Sequence, residues 1–343
     1  MKKKAGLRAR RAAAVGTGIA AAVAGGVLAG SGWAFDKAFR PKGDRAVKPD
    51  VVPDGPQYAP YADQIRRSVE NAAKKPFEPV EILSGDGLYL FGRYYPGEGV
   101  WNGSRNSSKS SVPPGTKDLQ KRPLALFFHG YRSPALRDGC GGFSLVQEMG
   151  YDLIMVDQRG HGGSEGNAIT LGVREQYDCL DWIRYCVDRF GPDKPLILIG
   201  LSMGASTVLL ASGHSLPACV KGVIADCGYS SAEKMIRQQV VRMGLPEKPG
   251  WRLVQLGAKI YGGFDPKDGE VCRALLHCSI PALLIHGQED RFVPWEMSME
   301  NFDAIPGEKE LMIVPGAGHG MSWYLDQEGY RKAVKTFCRK ILA

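Results

Sequence analysis

Leu196-Ile197-Leu198-Ile199-Gly200-Leu201-Ser202-Met203-Gly204 is the stretch on which the reading of this chain turns. Four consecutive aliphatic residues predict a short strand buried on both faces. The apolar run from Met203 to Ser212 predicts a helix that begins immediately afterwards. Glycines on both sides of Ser202 permit a tight strand-to-helix turn, which pushes the serine hydroxyl out at the edge of a sheet. The amide of Met203 then points at the same spot from a helix N-terminus, where the positive end of the dipole favours a developing oxyanion. G-x-S-x-G alone is a weak signal, because Gly and Ser are common. Between a strand and a helix it marks a nucleophile.

Outward from this turn the same rhythm repeats. Strand-like runs are expected at Val80–Leu83, Leu88–Tyr95, Leu124–Phe128, Leu153–Val156, Gly222–Ala225, Ala282–Ile285 and Leu311–Val314. Helical patterns fall at Tyr61–Lys75, Val173–Arg189, Glu296–Asp303 and Glu328–Leu342. This alternation predicts an α/β sheet, mostly parallel, with helices on both faces and the first two strands as an antiparallel edge. Two segments break the rhythm. Gly97 to Arg122 is a polar Gly/Ser/Lys/Pro loop, and Ser231 to Ser279 is a helical insertion carrying Met235, Val240, Met243, Trp251 and Leu256. The insertion is expected to act as a lid over the carboxyl edge of the sheet, where ligands of α/β proteins bind.

The 343 residues carry 44 Lys+Arg against 36 Asp+Glu, a formal charge of +8. Eleven of the basic and two of the acidic side chains lie in residues 1–48, leaving 33 and 34 for the remainder. The body is therefore nearly neutral, which excludes a nucleic-acid-binding domain with its basic stripe. Ala12 to Phe35 contains no charge and follows a Lys/Arg-rich start. It is long enough to cross about 30 Å of hydrocarbon. An uncleaved membrane anchor, a cleaved signal peptide and an Ala/Gly leader compete for it. Gly18, Ala22, Gly26 and Gly30 form a small-xxx-small face suited to a membrane helix, and no clean A-x-A cleavage site stands out near the end of the segment. The organisation expected is thus an anchor over 1–35, a Pro- and charge-rich tether over 36–60 and a catalytic domain over 61–343. The basic flank predicts the body outside the cell membrane, or secreted if the segment is cleaved. The eight cysteines pull the other way: scattered without a C-x-x-C pair, they suit a reducing compartment and are read mostly as small buried apolar residues. No spacing suggests zinc, and no metal or other cofactor is expected.

A serine nucleophile needs a base, and the base a carboxylate to orient it. His319 lies in Gly316-Ala317-Gly318-His319-Gly320, after the last strand; Asp290 lies in His286-Gly287-Gln288-Glu289-Asp290, after the preceding one. Both loops should emerge beside Ser202, in the chain order Ser, Asp, His. Asp226 directly follows the sixth strand. Glu289 is an alternative acid. Asp157-Gln158-Arg159-Gly160-His161-Gly162-Gly163-Ser164 is glycine-rich like a phosphate loop but lacks G-K-[ST], so nucleotide binding is not expected.

With His129-Gly130, the Asp157–Ser164 turn, the Ser202 elbow and the Asp290/His319 pair in this order, the chain from about Pro79 to Ala343 resembles the α/β-hydrolase superfamily. Within it, the chain is similar to bacterial serine-esterase-like members with an N-terminal apolar segment. The resemblance implies Ser202 as nucleophile, His319 as general base and acid, and Asp290 as the orienting carboxylate, with Asp226, where some members place their acid, as the alternative. It also implies an oxyanion hole made by the amides of Met203 and Tyr131, without the Gly-Gly-Gly run of the lipase-type loop. Arg159 and His161 would be architectural. The expected function is cleavage of a small-molecule carboxylic ester through an acyl-enzyme, with membrane contact through the N-terminal segment. Peptidase, thioesterase and acyltransferase chemistry remain open on the same site, as does a membrane-tethered binding protein without catalysis.

Overall fold

The computed structural model describes residues 25–41, 52, 55–97 and 122–343. Eight strands form one sheet: β1 (Glu78–Leu83), β2 (Tyr89–Tyr95), β3 (Leu124–Phe128), β4 (Asp152–Val156), β5 (Leu196–Leu201), β6 (Val220–Asp226), β7 (Ala282–Gly287) and β8 (Lys309–Val314). Their order is β1-β2-β4-β3-β5-β6-β7-β8. β1 pairs antiparallel with β2, and β2 antiparallel with β4; every later pairing is parallel. All eight runs expected from sequence are strands, and the antiparallel edge is where it was expected.

Alternation along each central strand sends side chains to two separate cores. Leu124, Leu126 and Phe128 pack with Trp182 and Ile183 of the helix Glu175–Phe190 and with Val208 and Leu209 of Met203–Ser212. Ala125 and Phe127 face Phe143 and Val146 of the helix Ala135–Glu148, while Ile197, Ile224 and Ile285 meet Val334 and Phe337 of Gln327–Leu342. Five residues of β3 and all of β4 and β7 are buried, as their unbroken apolar composition requires. In β8, an edge strand, only Val314 is fully buried.

The helix Ala135–Glu148 escaped the sequence reading because it carries Gly139, Gly141 and Gly142, each a helix-weakening residue. Packing explains two of them: a Cβ at Gly141 would stand 2.7 Å from Trp323, and one at Gly139 2.9 Å from Met155. Tertiary contact overrides propensity there.

The expected boundaries near 35 and 60 do not divide the packed body. Residues 25–38 are helical, and Ala34, Phe35 and Phe39 are buried against Trp251, Val254, Ala258 and Phe264. Spaced to fall on one side of the helix, these residues form an apolar stripe that the domain covers. Tyr58, within the expected tether, reaches the carbonyl of His319 with its hydroxyl at 3.0 Å. The part of the uncharged segment before residue 25, and the Gly97–Arg122 loop from 98 to 121, lie outside the described residues. Among the described residues no helix is long and apolar enough to cross a membrane. Between β6 and β7 the chain forms the helices Ala232–Arg242 and Glu247–Gly257, followed by short turns to Leu275. All eight cysteines are free thiols, and all but Cys272 are buried.

Candidate active site

β5 ends at Leu201, and Ser202 turns the chain with φ 56° and ψ −116°, a conformation that few residues other than glycine adopt. The turn is fixed from both sides: the Ser202 amide donates to the Asp226 carbonyl at 2.8 Å, and the Ser206 amide donates to the Ser202 carbonyl at 3.1 Å. Close backbone approach explains the flanking glycines. A Cβ at Gly200 would stand 2.2 Å from the carbonyl oxygen of Gly204, and one at Gly204 2.0 Å from that of Phe128. Since backbone atoms of two central elements cannot both retreat, Gly204→Ala should cost about 3 kcal/mol or more, read as a lower midpoint in urea unfolding.

β6, β7 and β8 run parallel to β5 in succession, so the loops after β7 and β8 open at the same carboxyl edge as Ser202. The Ser202 hydroxyl donates to His319 Nε2 at 2.9 Å, and His319 Nδ1 donates to Asp290 Oδ2 at 2.6 Å. Asp290 Oδ1 accepts the amides of Phe292 and Val293 at 2.8 and 2.9 Å. His286 Nε2 faces both Asp290 Oδ2, at 3.2 Å, and the Val293 carbonyl, at 3.0 Å, while its Nδ1 lies 2.6 Å from the Ser298 hydroxyl. With acceptors on one side and a hydroxyl on the other, His286 carries its proton on Nε2 and receives the Ser298 hydrogen bond on Nδ1. Burial opposes ionisation of Asp290, but hydrogen bonds from His286 and His319 outweigh it and hold the carboxyl well below the usual range. His286 stood in the quoted motif, yet only the fold reveals it as a second support of Asp290.

Of the alternative acids, Glu289 is exposed. Asp226 is buried, and its Oδ1 accepts the Ser322 hydroxyl at 3.3 Å rather than a ring nitrogen of His319. Burial outweighs the opposing influence of His286, His319 and the hydrogen bonds from Tyr330 and Ser322, and pushes its carboxyl up to about 6. A folded-state value above the unfolded one disfavours the fold once the group must ionise. The opposing contribution is absent below about pH 4 and reaches about 3 kcal/mol above pH 6. Asp226→Asn should therefore raise the melting temperature at pH 8, with the difference vanishing towards pH 4; an equal shift at both pH values would exclude this origin.

Met203 and Tyr131 line a cavity together with Ser202. Neither amide finds a hydrogen-bond acceptor among the described residues. Met203 sits at the first turn of its helix, where such N–H groups are free by geometry. Gly130, immediately before Tyr131, is so placed that a Cβ on it would lie 3.4 Å from Ser202 Cβ, and its amide donates to Asp138 Oδ2 at 2.7 Å. His129 supports the same loop from beneath. Its Nε2 accepts the Gln158 amide at 3.0 Å, which leaves Nδ1 to donate to the Gly130 carbonyl at 2.8 Å; complete burial lowers its pKa and keeps it neutral. Arg159 is locked between Asp178 and Asp86, and His161 Nε2 accepts the Arg132 amide, both architectural arrangements.

Two cavities meet at Ser202. One, of about 250 Å³, is walled by Ala34, Met235, Ile236, Val240, Leu253 and Val254. The other, of about 320 Å³, is more polar and is lined by Gln57, Tyr58, Ser133, Arg137, Asp138 and His319. Among the described residues, Cys227, Asp290 and His319 alone group as three side chains capable of holding a metal, within 4.8 Å of one another. His319 and Asp290 are engaged with each other, and burial pushes the Cys227 thiol well above its usual value, so the group lacks a ready anionic sulfur ligand.

Residues 126–260 match the family described as alpha/beta hydrolase fold. The chain is 25% identical over 194 residues to the uncharacterized protein YqkD of Bacillus subtilis, covering 56% of this chain and 64% of that one. It is 24% identical over 197 residues to the lysophosphatidylserine lipase ABHD12 of Danio rerio, covering 55% and 49%. The matches thus span less than two thirds of these curated relatives. Among solved structures, the Pyrococcus furiosus esterase Pf2001 superposes with a TM-score of 0.58 at 20% identity, over 80% of this chain and 94% of that one. The ferulic-acid-bound Est1E of Butyrivibrio proteoclasticus superposes with a TM-score of 0.55 at 20% identity, over 77% and 99%.

Proposed function

We propose that this chain, whose residues 126–260 match the alpha/beta hydrolase fold family, is a serine hydrolase of carboxylic esters acting through an acyl-enzyme. Hydrolase activity has the support of the fold and of the esterase and lipase neighbours. The single observation that carries the finer reading is the continuous hydrogen-bonded row Ser202–His319–Asp290 at the mouth of an apolar cavity. Ser202 Oγ attacks the ester carbonyl as His319 Nε2 takes its proton. Asp290 fixes the Nδ1–H tautomer and stabilises the imidazolium, and the amides of Met203 and Tyr131 receive the negative oxygen of the tetrahedral intermediate. The imidazolium returns the proton to the leaving alcohol. Water, activated by the same histidine, then releases the acid and regenerates the serine.

The acyl part would occupy the apolar cavity and the alcohol the polar one. The body is proposed to lie outside the cell membrane on an N-terminal anchor, with secretion after cleavage as the alternative; protease added to intact cells separates outside from inside. A series of p-nitrophenyl esters from acetate to palmitate, with the full chain, tests the chemistry. Turnover with a chain-length optimum, and labelling of Ser202 by a fluorophosphonate, are expected. No turnover with any ester, together with no labelling, would favour a binding protein on a hydrolase fold.

A further inference from the structure

The end of the expected anchor and the start of the expected tether build the pocket. Trp33, Ala34, Lys37 and Ala38 line the apolar cavity beside Ser202, opposite Met235, Ile236 and Val240 of the inserted helices. The carboxyl end of this helix is tied to the loop that carries the candidate oxyanion amide. Tyr131 Oη donates to the Ala38 carbonyl at 2.8 Å, and the Arg132 guanidinium donates to the carbonyls of Lys37 and Arg40 at 2.9 Å each. A cation at a helix carboxyl end is the favourable sense of that interaction. On the other side, the Ile169 amide donates to the Phe39 carbonyl at 2.7 Å.

The cavity opens beside an apolar rim. Trp33 is 49% and Met243 57% exposed, and both line the cavity, as does exposed Leu245. The rim continues along the helix through Tyr261, whose hydroxyl donates to the carbonyl of exposed Leu28 at 3.2 Å. Residues 25–29 of the helix are exposed and uncharged. From there the sequence stays uncharged back to Ala12, beyond which stand Lys2, Lys3, Lys4, Arg8, Arg10 and Arg11. An apolar run of this length, flanked by basic residues, suits a lipid surface with anionic head groups better than a protein partner.

We propose that the helix over 25–38 is a specificity-determining wall of the acyl pocket, and that its exposed face, with Met243 and Leu245, seats the pocket mouth on a lipid surface. The substrate is then an ester with an extended apolar acyl chain, entering from the bilayer with its polar alcohol on the His319 side. This rests on the ester-hydrolase reading and adds the substrate class to it.

Ala34→Phe and Ala38→Phe narrow the pocket from the helix side without touching Ser202, His319 or Asp290. With the full chain, kcat/KM for p-nitrophenyl decanoate should fall at least tenfold in each, while that for the acetate stays within twofold. Equal falls on both esters, or no change on either, would overturn the wall. Val27→Glu combined with Leu28→Glu, on the exposed face of the helix and outside the cavity lining, should slow turnover of the decanoyl ester embedded in phosphatidylcholine–phosphatidylglycerol vesicles at least tenfold, and of the same ester free in solution less than twofold. Equal effects in the two settings would overturn the lipid surface. Binding of dansyl-undecanoic acid, followed by fluorescence, reads the wall without turnover: at least tenfold weakening is expected in both phenylalanine variants. Unchanged affinity overturns the wall even if no ester is cleaved, whereas absent turnover and absent fluorophosphonate labelling with intact fatty-acid binding overturns only the hydrolase reading.

Discussion

Ser202→Ala lowers kcat for its ester by on the order of 10⁴ to 10⁶, because the nucleophile, base and orienting acid act as one unit and loss of the nucleophile removes the covalent route. KM should change little, since the two cavities that hold acyl and alcohol groups remain. The same variant should lose all fluorophosphonate labelling while keeping its melting temperature within a few degrees: the Ser202 hydroxyl bonds to His319 alone among the described side chains, and alanine occupies the same backbone turn. A residual rate within tenfold of the wild type in the ester assay would assign the chemistry elsewhere.

Asp290→Asn produces the second large loss, on the order of 10⁴ in kcat. The asparagine amide can offer a donor where the carboxylate accepted two ring N–H groups, from His319 and from His286. His319 would then place its proton on Nε2, the nitrogen that must accept from Ser202. The variant should also be less stable. The carboxyl's folded-state value is lowered, so its stabilising contribution is present above the ordinary carboxylate range and disappears only as the pH falls through that lower value. At pH 7 the difference from wild type is therefore fully expressed in a thermal melt, and it should shrink on strong acidification. Asp226→Asn serves as the paired measurement. If it retains ester turnover within a few fold while Asp290→Asn does not, the acid follows β7; the reverse result would move it to β6.

The contrast between these two aspartates shows where sequence reading stops. Asp226 closes β6 and Asp290 stands in the loop just beyond β7, both at the carboxyl edge, so the resemblance left Asp226 open. Their difference is environmental: Asp290 gathers two amides and two imidazoles, whereas Asp226 is buried against Ser322. Such partners come from sequence positions far apart and carry no periodicity. Similarly, His286 appeared as one letter of a motif, and its role follows from its distance to Asp290 and Ser298.

The sequence by itself determined the eight strands, the mostly parallel character of the sheet, the turn at Ser202 and the emergence of His319 and Asp290 at one edge. Each of these follows from short-range signals: unbroken aliphatic runs, glycines where backbone atoms touch, and loops that must leave a parallel sheet at its carboxyl end. Only the tertiary structure decided which acid meets the histidine, why a helix forms over glycine-rich Ala135–Glu148, and that residues 25–41 belong to the body. An uncharged run reads the same whether lipid or protein covers it. What distinguishes the two here is a partner surface, Trp251, Val254 and Phe264 against Ala34, Phe35 and Phe39, assembled from residues more than two hundred positions away.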